Sequence, residues 1–305
     1  MSKFIYTAIQ SIFGDTLIAD VKDCLVLVLG ALQNIFTHDQ ISVMVSIFLL
    51  VAGALAILHI YMDLVQMATN DMLSIEKLMI EFIKILAVFT VLIYLEDIIK
   101  ALFDLAIGFY QVLLNVADSQ THTGLSGIMF LGYDLGNGFP EWELVMEDFN
   151  EAFGSSPLDF LNNITIVFTL FIPNLLSGVC KLACYFAAIS SALTLIIMVI
   201  FAPIGVVNCF DEGMRGAGIK YLKTFLATAL TFAIIIGVLY ASTLINSSVI
   251  VSILRDNGIS NIADSEALDS FTGNFSVFYI LTGIRLASVG VILKSLQIAK
   301  NIIGV

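Results

Sequence analysis

Two stretches, Leu182–Phe210 and Thr224–Leu254, contain no Asp, Glu, Lys or Arg, and each is longer than the ~20 apolar residues that cross a bilayer as a helix. Both read as membrane spans. Between them lies Asp211-Glu212-Gly213-Met214-Arg215-Gly216-Ala217-Gly218-Ile219-Lys220-Tyr221-Leu222-Lys223, which holds three of the chain's 13 Lys and Arg residues. By the positive-inside tendency, the segment 208–223 is a basic cytoplasmic hinge. Hydrophobic residues make up 59% and charged residues 12%, with a mean hydropathy of +1.00, against ~25% charged in soluble domains. The chain therefore reads as an all-α integral membrane protein, with about five transmembrane helices plus interfacial or amphipathic helices.

Charge placement divides the sequence into four regions. Residues 1–39 form an N-terminal amphipathic segment, in which Ile5, Ile9, Ile12 and Phe13 repeat at helical spacing. That repeat suits either a helix lying in the membrane interface or one packed on the spans. No small-residue cleavage site follows, so a cleaved signal peptide is not expected. Residues 40–114 hold the first membrane helices. One span covers about 40–62 and another about 82–95, with Glu96, Asp97, Lys100 and Asp104 after it, on a helix that either continues outward or turns along the surface. Residues 115–159 are an acidic extracytoplasmic loop, part of a stretch from 101 to 180 without Lys or Arg, which the outer face permits. Within it Trp142, Met146, Phe149 and Phe153 recur on one side of a helix that ends at Ser155-Ser156-Pro157, with Glu143, Glu147 and Glu151 on another. They read as a docking surface or channel rim, or as an interfacial anchor centred on the only Trp.

Residues 160–305 form a C-terminal membrane bundle. Phe160–Cys180 is uncharged but interrupted by Asn162, Asn163, Pro173 and Asn174. Counting it as a separate crossing would put the basic hinge outside, so it reads as re-entrant or interfacial. The spans 182–207, 224–251 and 275–293 then follow, giving five crossings with the N-terminus outside and the C-terminus in the cytoplasm. The hydroxyls of Thr224, Thr228 and Thr231, and the group Ser242, Thr243, Asn246, Ser247 and Ser248, either line a wet path or bond to nearby backbone. Arg285 falls near the middle of the last span, where a guanidinium must find water, a carboxylate or a carbonyl. Glu96, Asp97 and Asp104 are its candidate partners.

No chemistry of catalysis emerges. The cysteines Cys24, Cys180, Cys184 and Cys209 form no CxxC, the three histidines are scattered, and Gly213, Gly216 and Gly218 lack the Lys and the strand context of a phosphate loop. The cysteines read as packing residues. The chain is expected not to be an enzyme and to need no cofactor or metal. A net charge of -12 argues against nucleic acid as a direct surface ligand.

One stretch is more specific. Ile200-Phe201-Ala202-Pro203-Ile204-Gly205, then Asp211-Glu212-Gly213, Arg215-Gly216 and Gly218-Ile219-Lys220-Tyr221-Leu222-Lys223-Thr224-Phe225-Leu226-Ala227, resembles the TrbL family. These are polytopic inner-membrane proteins of conjugative type IV secretion systems, notably the versions from mobile elements of Gram-positive bacteria. The resemblance covers the hinge and its flanks. It implies a channel or scaffold subunit in the bacterial cytoplasmic membrane that assembles as a ring-like homo-oligomer. Such a subunit would contact the secretion ATPase, other membrane subunits and lipid, and would meet nucleic acid or protein only as transported cargo. Physically, Pro203 can kink or end its helix, while Arg215, Lys220 and Lys223 sit at the inner surface to hold orientation or meet a partner. Pro203, Arg215, Gly216, Gly218, Lys220, Tyr221 and Lys223 are thus the candidate contact hinge. The competing class is a secondary transporter or ion channel for a small solute, with Arg285 and the acids near Glu96 as its coupling charges.

Overall fold

A computed structural model describes residues 2–13, 16–36, 39–69, 74–120, 125–153, 164–207, 216–262 and 275–305. In chain order the helices are α1 (Ser2–Phe13), α2 (Thr16–Phe36), α3 (Asp39–Thr69), α4 (Ile75–Ile93), α5 (Leu95–Gln120), α6 (Trp142–Phe153), α7 (Ile164–Val207), α8 (Ala217–Asp256), α9 (Phe275–Leu293) and α10 (Ser295–Ile303). Three short strands, β1 (Met129–Phe130), β2 (Tyr133–Asp134) and β3 (Asn261–Ile262), and a 3-10 turn (Leu135–Asn137) complete the described elements. The chain is an all-α membrane protein. Three helices are long and apolar enough to cross a bilayer, Ile41–Thr69, Phe171–Val207 and Ala217–Asp256, and the number reaches five when the bent pairs α4–α5 and α9–α10 each count as one span.

The largest departure from the sequence reading is at α7. Rather than a re-entrant segment up to Cys180 followed by a span, Ile164–Val207 is one helix of 44 residues, roughly 66 Å at 1.5 Å per residue. Residues 160–163 lie outside the described residues. Pro173 does not break the helix. It removes a single amide donor, a loss that membrane helices tolerate. A single continuous helix removes the parity conflict behind the re-entrant reading, because it counts as one candidate span. At the other doubtful segment, α5 leaves α4 at an angle of 62°, so the helix carrying Glu96 and Asp97 turns rather than continuing straight.

Two compact units divide the chain, and α2, α5, α7 and α8 each contribute residues to both. The first comprises Met1–Leu25, Tyr110–Ala187 and Phe232–Ser295. Its core joins α1 to the acidic segment. Ile5, Tyr6, Ile9, Ile12 and Phe13 of α1 are buried with Val145, Phe149 and Phe153 of α6, Phe130, Ile262, and Ile250 and Leu254 of α8. The apolar face of α1 thus packs on protein. Asn246 of α8 donates to the Ile12 carbonyl at 3.1 Å, satisfying one of the acceptors that a helix leaves open in its last turn. Beside this core, β1 pairs antiparallel with β2 (Phe130↔Tyr133) and parallel with β3 (Phe130↔Ile262). The β1–β2 hairpin turns through Leu131 (φ 49°) and Gly132 (φ 85°), the doubly positive geometry of a two-residue type I′ turn. This small sheet ties the acidic segment to the chain that follows α8. Two ion pairs, Asp20–Lys181 and Lys22–Asp118, hold α2 to α7 and α5.

The second unit comprises Val26–Phe109, Ala188–Thr231 and Leu296–Val305. Its core is small: Ala52 and Ala56 of α3 meet Val88 and Leu92 of α4 and Val207 of α7. Phe48 and Phe201 pack at 4.6 Å between ring centres. Only 17% of the most apolar window of α3 is buried, leaving Val43, Ile47, Leu50, Ile57, Leu58 and Met62 exposed. A helix that is apolar all round and uncovered by its own chain suits a lipid environment.

Candidate functional site

The hinge flanks are brought together by a contact that spacing alone did not reveal. The phenol of Tyr221, in the second turn of α8, donates to the Met198 carbonyl of α7, five residues before Pro203. The Tyr221 ring also lies flat against Gly205, where an added Cβ would come within 2.6–2.8 Å of its carbons. Gly205 is therefore required by close approach, with Tyr221 as the bolt between the two halves of the motif. Tyr221, placed in the contact hinge by the sequence, is half-buried and holds the two helices together. Pro203, Gly216 and Gly218 are buried as well. Of the candidate contact residues that are described, Lys220 and Lys223 alone are exposed. Arg215, with Asp211–Met214, lies outside the described residues.

The position of the two lysines is informative. Lys220 closes the first turn of α8, its amide bonded to the Gly216 carbonyl at 3.2 Å, and that turn holds no acidic residue. A helix N-terminus favours anions and disfavours cations by ~0.3–1 kcal/mol per charge. Lys220 therefore gains nothing from the helix dipole, and Lys223 lies one turn further along, where the dipole has little effect.

The acidic helix α6 differs from the docking reading. Phe149 and Phe153 are fully buried and Trp142 is half-buried, leaving Met146 as the one exposed member of the proposed stripe. The buried face also includes Val145, so the stripe is consumed by α1. Tyr6 sits at its centre, with ring centres 5.0 Å from Trp142, 5.5 Å from Phe139 and 5.8 Å from Phe149, and its hydroxyl donates to the Pro140 carbonyl. Glu143, Glu147 and Glu151 face outward. Burial, and then the carboxylates of Glu143 and Glu141, push Tyr6 up to about 12 from 10.0. Its proton is held more firmly in the folded chain, so its stabilising contribution is whole below pH 10 and is lost as pH rises from there to about 12. Emission from the only Trp, followed during alkaline titration, should change over that window in the wild type, and Tyr6→Phe should remove that component.

Arg285 belongs to the first unit and is 6% exposed, on a buried stripe of α9 with Leu281, Ser288 and Ile292. Cys180 of α7 lies within its electrostatic range, and Ser288 donates to Ser242 of α8 at 2.7 Å. Glu96, Asp97 and Asp104 belong to the second unit. The hydroxyls of α8 mostly bond within their own helix: Thr224 to Lys220, Thr228 to Thr224, Thr231 to Ala227 and Ser247 to Thr243, each to the carbonyl four residues back. These bonds match the backbone alternative to a wet path. Among the described residues, no three His, Cys, Asp or Glu side chains converge as metal ligands.

Comparison of the chain with protein-family models, curated proteins and solved structures gave no match. The class is thus defined by the fold: a multi-pass helical membrane protein with a locked hinge that presents two lysines.

Proposed function

We propose that the chain is a membrane channel or scaffold subunit of a conjugative type IV secretion system, of the TrbL-like kind, which helps DNA or protein cross the bacterial cytoplasmic membrane. The observation that carries this reading is the hinge. The residues on which the resemblance rests divide into an inward lock, Gly205 and Tyr221, and an outward pair, Lys220 and Lys223. Two helix ends fastened to each other by Tyr221, with basic side chains displayed at the start of α8, suit a fixed partner such as the secretion ATPase, or anionic lipid. The N-terminus lies outside and the C-terminus in the cytoplasm. This orientation draws support from the β1–β3 pairing, which gathers the acidic segment, the chain after α8 and, through α6, the helix α1 into one unit. Subunits assemble as a ring, with the exposed apolar faces of α3 and α7 meeting lipid or neighbouring copies.

The test is the native mass of the detergent-extracted particle, together with the identity of what copurifies from a conjugating cell. A multi-copy ring carrying a secretion ATPase is the expected result. A monomer or dimer without such partners would sink this reading in favour of solute transport through the buried Arg285 layer, and Arg285→Ala would then be the variant to assay.

A further inference from the structure

The second unit contains a cleft of about 600 Å³ walled by α2, α3, α5 and α7. That size lies within the ~300–1,000 Å³ range of small-molecule sites. Its apolar lining is formed by Phe36, Val45, Leu95, Ile99 and Phe103. Phe36 and Phe103 meet edge to face, with ring centres 4.9 Å apart, so aromatic surfaces of two helices border one space. The ionisable residues that line it all come from α5: Glu96, Asp97, Lys100 and Asp104. At 3.6 residues per turn they fall within roughly 100° of the helix circumference. Glu96, Asp97, Lys100 and Asp104 are exposed, while Leu95, Ile99 and Phe103 on the neighbouring face are buried. Three carboxylates against one ammonium give the cleft a net negative lining beside aromatic surface.

We propose that this cleft binds a lipophilic cation, a small molecule with an apolar body and a delocalised or quaternary positive charge. The apolar lining takes up the body by burial. The ring faces and the α5 carboxylates act on the charge in the same direction, through cation–π attraction and Coulomb attraction. An anion of the same shape gains only the first contribution and is opposed by the second. A cleft of this size bordered by four helices fits a compact ligand better than the continuous face of a partner helix. This site is separate from the Lys220–Lys223 surface and does not depend on the secretion reading.

The experiment is equilibrium dialysis of the full-length protein in nanodiscs, with tetraphenylphosphonium as probe and tetraphenylborate as its anionic counterpart of the same shape. Saturable binding of the phosphonium alone is expected. Asp97→Asn with Asp104→Asn should weaken it by about tenfold, and Phe36→Leu by about threefold. Lys100→Gln should tighten it by about threefold, a gain that a misfolded variant would not produce. Glu143→Gln with Glu147→Gln on α6 should leave it unchanged. Non-saturable uptake, equal binding of tetraphenylborate, or indifference to both the Asn pair and Lys100→Gln would overturn the proposal, leaving only partition into lipid.

Discussion

Gly205→Ala is expected to destabilise the protein, although glycine-to-alanine changes inside helices usually stabilise by up to ~1 kcal/mol. The reversal follows from one contact. The new methyl would stand 2.6–2.8 Å from three carbons of the Tyr221 ring, closer than carbon atoms approach, and the ring is tethered by its hydroxyl to Met198. Relief requires either the ring or the end of α7 to move, an overpacking cost of roughly 1–3 kcal/mol. Heating the detergent-solubilised protein and following the loss of its monodisperse peak should show an earlier transition for Gly205→Ala. Two double variants separate the causes. Tyr221→Leu, added to Gly205→Ala, removes the flat ring and should recover much of the loss. Tyr221→Phe keeps the ring and should recover little, while by itself it removes one hydrogen bond worth ~0.5–1.5 kcal/mol. An unchanged transition in Gly205→Ala would mean that the hinge is not locked by this contact.

The lock also marks the boundary of what could be read from the chain. Spans were legible because lipid imposes length and apolarity on consecutive residues, and that information is local. The apolar runs 40–62, 182–207 and 224–251 therefore all lie within described helices, and the acidic run from Trp142 to Phe153 was readable as an amphipathic helix. Its partner was not. Whether Phe149 faces lipid, a docking protein or the chain's own N-terminus depends on Tyr6 and Ile9, more than a hundred positions away, and no periodicity records that pairing. The same holds for Asp20 with Lys181 and Asn246 with Ile12. Phe160–Cys180 was misread because Pro173 and the flanking Asn residues resemble a break, whereas inside a 44-residue helix one missing donor is a small perturbation. In the hinge, composition suggested where contact residues cluster but not which way each points. Tyr221 turns inward because Gly205 leaves room for its ring, and Lys220 and Lys223 remain outside.

From that division follows the second large effect. On the secretion-subunit reading proposed above, Lys220→Glu with Lys223→Glu should abolish copurification of the secretion ATPase and reduce conjugative transfer by at least about tenfold, a loss equivalent to ~1.4 kcal/mol or more at the interface. Folding should respond in the opposite direction. A carboxylate at position 220, at the end of the first turn of α8, interacts favourably with the helix dipole by ~0.3–1 kcal/mol where a lysine does not, so thermal stability should hold or rise slightly. Lys294→Glu, which alters exposed charge between α9 and α10, serves as the control and should leave partner capture intact. The opposite signs make the result decisive. If the lysines merely anchored the turn to anionic lipid, the double variant would shift orientation, and a cysteine probe at position 217 would change its side of labelling. If they bind the partner, orientation is retained, stability is retained or raised, and transfer alone fails. Full transfer and normal complex formation in the stable double variant would remove the hinge from the partner interface. The exposed acidic face of α6 would then be the next surface to reverse.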